Sequence, residues 1–370
     1  MTLLRPMFLL AAALLAVGAR ADQLEYSGYR ISDDSDNEVA TTSFSLAKTL
    51  WGRTLLLLDI ELDQTTIAPL DAVTGASRPQ RKAAQEFRKS RGQVVAGVDQ
   101  GLGDDTRAAA TYYFSQEVDY RSQSGTLSLT RELFQKNLTL SLRGQYILDH
   151  VGEITATNAL VERVKETHHA TLTVSQILSP TTTLRVGGDG MRNLGFLSNP
   201  YRRKAVPRAG SAALDTLAEV HPDERWRQSA WIELAQYLKG LEGSVTLGYR
   251  YYWDDWNLEA HTVQITLNKY VSPDWVLSPE YRYSIQTGAY FHETPGKDGF
   301  HTEDYKLMPL ESHSVGGEVT WFLRGLGRRR PSLDFLTGTS LSLFYFRYFS
   351  EGDKGSWSAD AVQGRVRFDY

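Results

Sequence analysis

The last eleven residues of this chain, Asp360 to Tyr370, change character with a period of two. Counted back from the end, Tyr370, Phe368, Val366, Gly364 and Val362 share one face, while Asp369, Arg367, Arg365 and Gln363 share the other. Successive side chains of an extended strand point to opposite faces, so the pattern predicts a β-strand with one oily and one charged side. Such a strand fits where one face meets lipid and the other meets water. After the N-terminal apolar run no segment approaches twenty consecutive apolar residues, and the mean hydropathy is negative. Helical membrane spans are thereby excluded, and strands must do any crossing.

The same two-beat pattern recurs along the chain. In Ser244 to Trp253, Val245, Leu247, Tyr249 and Tyr251 alternate with Ser244, Thr246, Gly248 and Arg250. In Leu138 to Leu148, Leu138, Leu140, Leu142 and Tyr146 alternate with Thr139, Ser141, Arg143 and Gln145. Breaking the sequence at Gly, Pro, Asn and Asp clusters yields sixteen such segments, joined by short turns that alternate with mostly longer loops. The longest loops run from Thr65 to Arg91 and from Leu197 to Arg225, and the thirteenth segment is expected over Trp275 to Tyr290. The expected fold is all-β, a transmembrane antiparallel up-and-down β-barrel of about 16 strands. One miscounted pair leaves fourteen or eighteen open; an odd number would break the alternation.

Met1 to Ala21 reads as a signal peptide: Arg5 precedes the apolar run Phe8 to Val17, and Ala19-Arg20-Ala21 supplies small residues for cleavage. Residues 22–370 then form a single barrel domain. Losing Arg5 and Arg20 takes the formal charge from −4 to −6. With 0 cysteines there is neither a disulfide framework nor thiolate chemistry. Closed strand pairing is left to hold an exported chain together, and 30 glycines, 19 tyrosines and 8 tryptophans suit it.

The ending resembles the C-terminal strand of bacterial outer-membrane barrels, whose final aromatic is read by the barrel-insertion machinery, which makes Phe368 and Tyr370 the insertion signal. A second resemblance is wider. Tyr249 to Trp256 with its Asp254-Asp255-Trp256 block, His261-Thr262, Pro279 to Tyr283 and Gln286 to Phe291 are similar to core motifs of an uncharacterised proteobacterial outer-membrane barrel family, porin-like and known as a domain of unknown function. Asp71 to Ser77 and Leu197 to Arg202 resemble its loop motifs. The resemblance covers nearly all of the mature chain. It implies the outer membrane of a Gram-negative bacterium and a neighbourhood of periplasmic redox proteins, without assigning an activity.

Inward-facing charge is the best functional clue. Alternation places Asp59, Glu61, Asp63, Arg143, Arg250, Glu280, Arg282, Gln286, Arg365 and Arg367 on the polar face, as candidate pore-lining residues. Opposed acidic and basic walls would set a field across a lumen; mutual salt bridges filling the interior are the equal alternative. The basic loop with Arg78, Arg81, Lys82, Arg88, Lys89 and Arg91 could constrict the pore or meet lipopolysaccharide phosphates. Asp33 to Glu38 clusters oxygens but lacks the glycine of a calcium loop, and His168 and His169, adjacent on a strand, face opposite ways. His261 beside Asp254 and Asp255 is the His and carboxylate grouping that would merit a hydrolase test.

No serine is placed beside a histidine and an orienting group, so the chain is expected not to be an enzyme, and no cofactor or metal is assigned. The leading expectation is a pore for small polar solutes or ions. A plugged barrel that scaffolds periplasmic redox partners is the alternative, and a barrel hydrolase a weaker one. Expected partners are outer-membrane lipid and lipopolysaccharide, with no nucleic acid.

Overall fold

The computed structural model describes residues 22–35, 37–67, 87–154, 160–200, 203–207, 214–292, 299–329, 331–353 and 355–369. Met1 to Ala21, Tyr370 and most of the loop after Thr65, with Arg78, Arg81 and Lys82, lie outside them.

Sixteen strands close into one antiparallel barrel, and two short ones make a separate hairpin. The first half comprises β1 (Gln23–Asp33), β2 (Glu38–Leu50), β3 (Thr54–Ile67), β4 (Phe87–Gly101), β5 (Thr106–Gln116), β6 (Tyr120–Leu133), β7 (Leu138–Ile154), β8 (Leu160–Ser179) and β9 (Thr182–Gly195). The hairpin is β10 (Arg203–Pro207) with β11 (Leu214–Ala218). The second half comprises β12 (Glu224–Leu238), β13 (Gly243–Asp254), β14 (Glu259–Ser272), β15 (Trp275–Gln286), β16 (Leu310–Phe322), β17 (Thr339–Gly352) and β18 (Gly355–Asp369). β9 pairs with β12 across the hairpin, and β18 returns to β1. Closure leaves no open edge, the condition for strands to cross hydrocarbon.

Register carries the alternation around the wall. Ser27 stands opposite Arg365 and Ser43, Ser43 opposite Glu61, Glu61 opposite Gln93, and Gln93 opposite Ser115. All of these face inward. Burial is inverted relative to a water-soluble fold: outward Leu127, Leu247 and Val315 are 69%, 51% and 49% exposed, whereas inward Ser115, Thr167 and Ser229 are 0%, 3% and 3% exposed. That is the distribution of a barrel with an apolar outer band and a polar interior. Inner hydroxyls bond across strands, as in Ser27 to Ser43 (2.7 Å), Thr130 to Ser141 (3.0 Å) and Thr262 to Ser284 (3.0 Å). Polar groups withdrawn from bulk water are thereby satisfied.

The termini and most of the short turns lie at one end, together with helix α1 (Arg324–Arg329) in the connection 323–338. Connections 196–223 and 287–309 lie at the other, the loop end. Aromatics mark both rims of the outer face: Trp275 stacks on Trp321 at 5.3 Å near the terminal end, and Tyr251 on Trp253 at 5.2 Å near the loop end. Such belts place amphipathic rings at a membrane boundary.

Two expectations are corrected. The segment from Trp275 stops at Gln286 and not at Tyr290, because the chain turns inward after Thr287 and buries Ala289 and Phe291 completely. The loop from Leu197 to Arg225 is not all coil, since it contains the β10–β11 hairpin.

Candidate functional site

The ten candidate pore-lining residues all fall on the inner face, and their pairing divides the wall into two chemistries. On β3, Asp63 and Glu61 meet Arg91 of β4: the Arg91 guanidinium donates to Asp63 through Nε at 2.6 Å and lies 3.5 Å from Glu61. Asp63 also accepts from Thr41 at 2.6 Å, while Asp59 stands between Ser45 and Val95. Arg365 donates to Glu318 at 2.7 Å and covers the Phe344 ring, and Arg367 bonds Asp369. Arg143 stands between Ser128 and Thr171. Glu280 accepts from Thr266 at 3.2 Å. One cation of the neighbouring strand, Arg91, thus offsets part of the acidic wall of β3, holding Asp63 and approaching Glu61.

Lys89 and Arg91 belong to β4 and not to the basic loop. Lys89 pairs with Asp119 at 2.7 Å, so both cations turn inward to carboxylates and away from any lipid phosphate. Asp33 accepts from the amides of Ser35 and Asn37, both at 2.9 Å, which fixes a tight turn with that carboxylate.

The opposite wall is different. Beneath the loop end, β8, β9 and β12 to β15 enclose a cavity of about 540 Å³. It is lined by the cations Lys165, Arg225, Arg227, Arg250, Arg282 and Lys306, with Asp304 the carboxylate among its lining residues. Lys165 reaches Asp149 at 2.8 Å and Arg225 reaches Asp254, so these two are compensated. Arg250 bonds Ser229 at 3.0 Å and stands 3.9 Å from Asp189. Arg227 donates to the Tyr252 hydroxyl at 3.0 Å. Among the described residues, neither Arg227, Arg282 nor Lys306 has a carboxylate in ion-pair contact. Gln286 lines the same space, but its amide is tied to the carbonyls of Lys306 (2.9 Å) and Met308 (2.8 Å) and so anchors a loop.

The roof of this cavity explains the Asp-Asp-Trp block. Asp254 Oδ1 accepts from the amides of Trp256 (2.9 Å) and Leu258 (3.0 Å); Oδ2 accepts from Arg225 Nε (2.9 Å) and the Tyr252 hydroxyl (2.6 Å). The carboxylate closes the β13–β14 turn and clamps it to β12. Arg225 lies over the Trp256 ring at 4.2 Å, and Trp256 packs edge-on against Phe291 at 5.1 Å. Loop 287–309 docks here, with the Tyr290 amide donating to the Trp256 carbonyl at 2.9 Å. Asp255 turns the other way and accepts from the Trp226 amide at 3.0 Å; burial pushes its carboxyl above the usual range.

His261 does not join this group. It points outward, where Nδ1 meets the Tyr249 hydroxyl at 2.7 Å and its ring stacks on Tyr251 at 4.9 Å. The structure thus separates His261 from Asp254 and Asp255. The same outward arrangement recurs at His313, which meets the Tyr281 hydroxyl at 2.8 Å and the Tyr283 ring at 5.0 Å, and at His168, 5.1 Å from Tyr146. Each histidine follows a glutamate by two residues: Glu166-Thr167-His168, Glu259-Ala260-His261 and Glu311-Ser312-His313. This threefold Glu-x-His spacing is the sequence signal for the outward histidines. His169 faces inward and lies 3.3 Å from Asp189, so the two adjacent histidines do point apart.

The family described as protein of unknown function (DUF3570) matches residues 61–161 and 152–325. The chain belongs to that family. No curated protein matches the DUF3570 chain in sequence. Among solved structures it is similar to a bacterial polysaccharide outer membrane secretin, with 8% identity, a TM-score of 0.53, and coverage of 94% of this chain and 98% of that one. It also matches the siderophore receptors PirA from Acinetobacter baumannii (12% identity, TM-score 0.47) and from Pseudomonas aeruginosa (10%, 0.46). The match covers 89% and 93% of this chain, but the DUF3570 chain spans 52% and 60% of the two receptors. What it shares with the secretin is the fold, that of an outer-membrane barrel.

Proposed function

We propose that this chain is an outer-membrane pore, porin-like in that small polar solutes or ions cross through its lumen. The observation that carries this reading is the inverted wall, apolar outside and hydroxyl- and charge-lined inside, around a cavity of about 540 Å³. In this reading Met1 to Ala21 directs export, and the end with the termini faces the periplasm. Phe368, on the final strand, belongs to the signal read by the insertion machinery. The outer Tyr and His clusters at the loop end meet lipopolysaccharide, and no step of catalysis is assigned: His261, which a hydrolase reading would have needed beside Asp254, is on the lipid side.

Purified protein refolded into planar bilayers is expected to give discrete conductance steps. A folded protein that leaves bilayers silent refutes the pore. The docking of loop 287–309 against the inner wall supports a second reading, a closed barrel that scaffolds periplasmic redox proteins, and co-purification of such a partner with a silent bilayer would favour it.

A further inference from the structure

Taking the pore reading as its base, we infer that the cavity beneath the loop end binds a small solute carrying two or more oxyanion groups, carboxylate or phosphate, through Arg250 and Arg282 with Arg227 and Lys306 around them.

Geometry argues first. Thr262 stands opposite Arg250 on one side and opposite Ser284 on the other, and Arg282 precedes Ser284 by two residues on the same inward face. Arg250 and Arg282 therefore rise from strands separated by one strand, β14, roughly 10 Å apart at the backbone. The floor between them is the Thr262–Ser284 hydroxyl pair (3.0 Å). Two guanidinium forks flanking a hydroxyl floor match a solute with oxyanions at both ends: each fork can hold one group with paired N–H donors, while the hydroxyls bond what lies between. The volume is within the usual range for small-molecule sites.

Charge argues second. Elsewhere in the lumen Asp63, Glu318 and Asp149 have cations at hand, though Asp59 and Glu280 are in no described ion pair. Here the imbalance runs the other way: among the described residues Arg227, Arg282 and Lys306 are in no ion pair with a carboxylate. A low-dielectric wall concentrates the field of such cations into the cavity and raises the local concentration of anions. Asp189, the carboxylate nearest Arg250, already accepts from Thr171 (2.8 Å) and Ser229 (2.9 Å), so it holds the arginine loosely and leaves the fork accessible.

The test uses the full chain, refolded, in a bilayer with a potassium chloride gradient and with citrate or inorganic pyrophosphate as the probe. The expected reversal potential is that of an anion-preferring pore, and either probe reduces the current. The double variant Arg250→Gln/Arg282→Gln should weaken that block about tenfold or more, the loss of one to two charge-assisted contacts, and move the reversal potential toward cations. Arg282→Lys should keep the reversal potential while weakening the block, because the charge stays and the fork goes. Arg347→Gln, on the outer face, removes the same charge and is expected to change neither. Block by citrate alone or pyrophosphate alone supports the site and names its oxyanion. A conducting pore that prefers cations, ignores both probes, or responds identically in the double variant overturns the inference and leaves the pore standing. Should no conductance appear, calorimetric titration of either probe into the detergent-solubilised protein decides separately: binding lost on Arg250→Gln/Arg282→Gln upholds the site without the pore, and no binding overturns it.

Discussion

Replacing Asp254 by alanine should open the loop end and leave the barrel closed. The carboxylate is fully buried, Arg225 is nearly so, and four further polar groups converge on it besides the Arg225 Nη2: the amides of Trp256 and Leu258, the Tyr252 hydroxyl and Arg225 Nε. Truncation strands a buried guanidinium and two amides together. Breaking one member out of a buried, hydrogen-bonded ion pair costs about 3–5 kcal/mol, and at about 1.4 kcal/mol per factor of ten the open population of the roof should rise roughly a hundredfold or more. The cost falls on the roof because the strand ladders of β12 and β13 do not use this side chain.

Hydrogen exchange reads the effect at named amides. Tyr290 donates to the Trp256 carbonyl at 2.9 Å across the docked contact, so it loses protection when loop 287–309 undocks, whereas the bond from Ala289 to Leu307 (2.8 Å) lies within the loop. Exchange at Tyr290 should accelerate about a hundredfold in Asp254→Ala, while amides of β5 and β6, on the far wall, exchange as in the parent. Asp254→Asn keeps an oxygen for the Trp256 and Leu258 amides and should fall between the two. Asp255→Asn is the contrast. Burial already disfavours the charge on Asp255, and an asparagine oxygen can still accept from Trp226, so the roof should stay docked. Unchanged protection at Tyr290 in Asp254→Ala, or equal loss around the whole barrel, would refute the assignment of Asp254 as the clamp of the roof.

Two other perturbations test the wall and its terminal end. Gly187 faces inward beneath the Trp231 ring, and a Cβ there would collide with that ring and sit 2.8 Å from the Leu172 carbonyl; Gly187→Val should cost about 1–3 kcal/mol in urea unfolding and shift Trp231 emission to the red, an unshifted spectrum counting against the contact. Just before β1, Asp22 is held at about 2, below its ordinary 3.8, by bonds from Thr49 and then Lys48. A carboxylate with a depressed folded value stabilises above its unfolded value and loses that contribution as pH falls through the folded one; melting followed between pH 4 and 2 should show a step that Asp22→Asn removes.

Alternation made the wall legible. Each side chain's face follows from its parity along one strand, so Asp59, Glu61, Asp63, Arg143, Arg250, Glu280, Arg282, Gln286, Arg365 and Arg367 could be turned inward without knowing any pairing. The same rule separates His261 from the carboxylates: Thr262 shares the inward face of its partner Arg250, so the residue before it must face out. What parity cannot supply is register. That Asp63 meets Arg91, twenty-eight residues on, or that Glu318 meets Arg365, depends on which residue stands opposite which, and this is fixed by turn lengths and by closure of the barrel. The Asp254 clamp was invisible for a further reason: three of its partners lie within four residues, but Arg225 comes from the neighbouring strand, and it makes the clamp an ion pair.

The division of the lumen follows from that same limit. Read by composition, the acids of β3 and the arginines of β13 and β15 look like opposite poles of one field. Register places Arg91 directly opposite Asp63, which offsets part of the acidic pole within a single strand pair. It places Thr262 and Trp231 opposite Arg250, and Gln264 and Ser314 opposite Arg282, residues with no charge to return. Among the described residues, three cations without an ion-paired carboxylate, Arg227, Arg282 and Lys306, therefore gather on one wall. In the proposed pore an ion would meet that wall as a positive surface, with the acids of β3, partly offset by Arg91, contributing little at distances beyond the roughly 8 Å screening length of physiological salt.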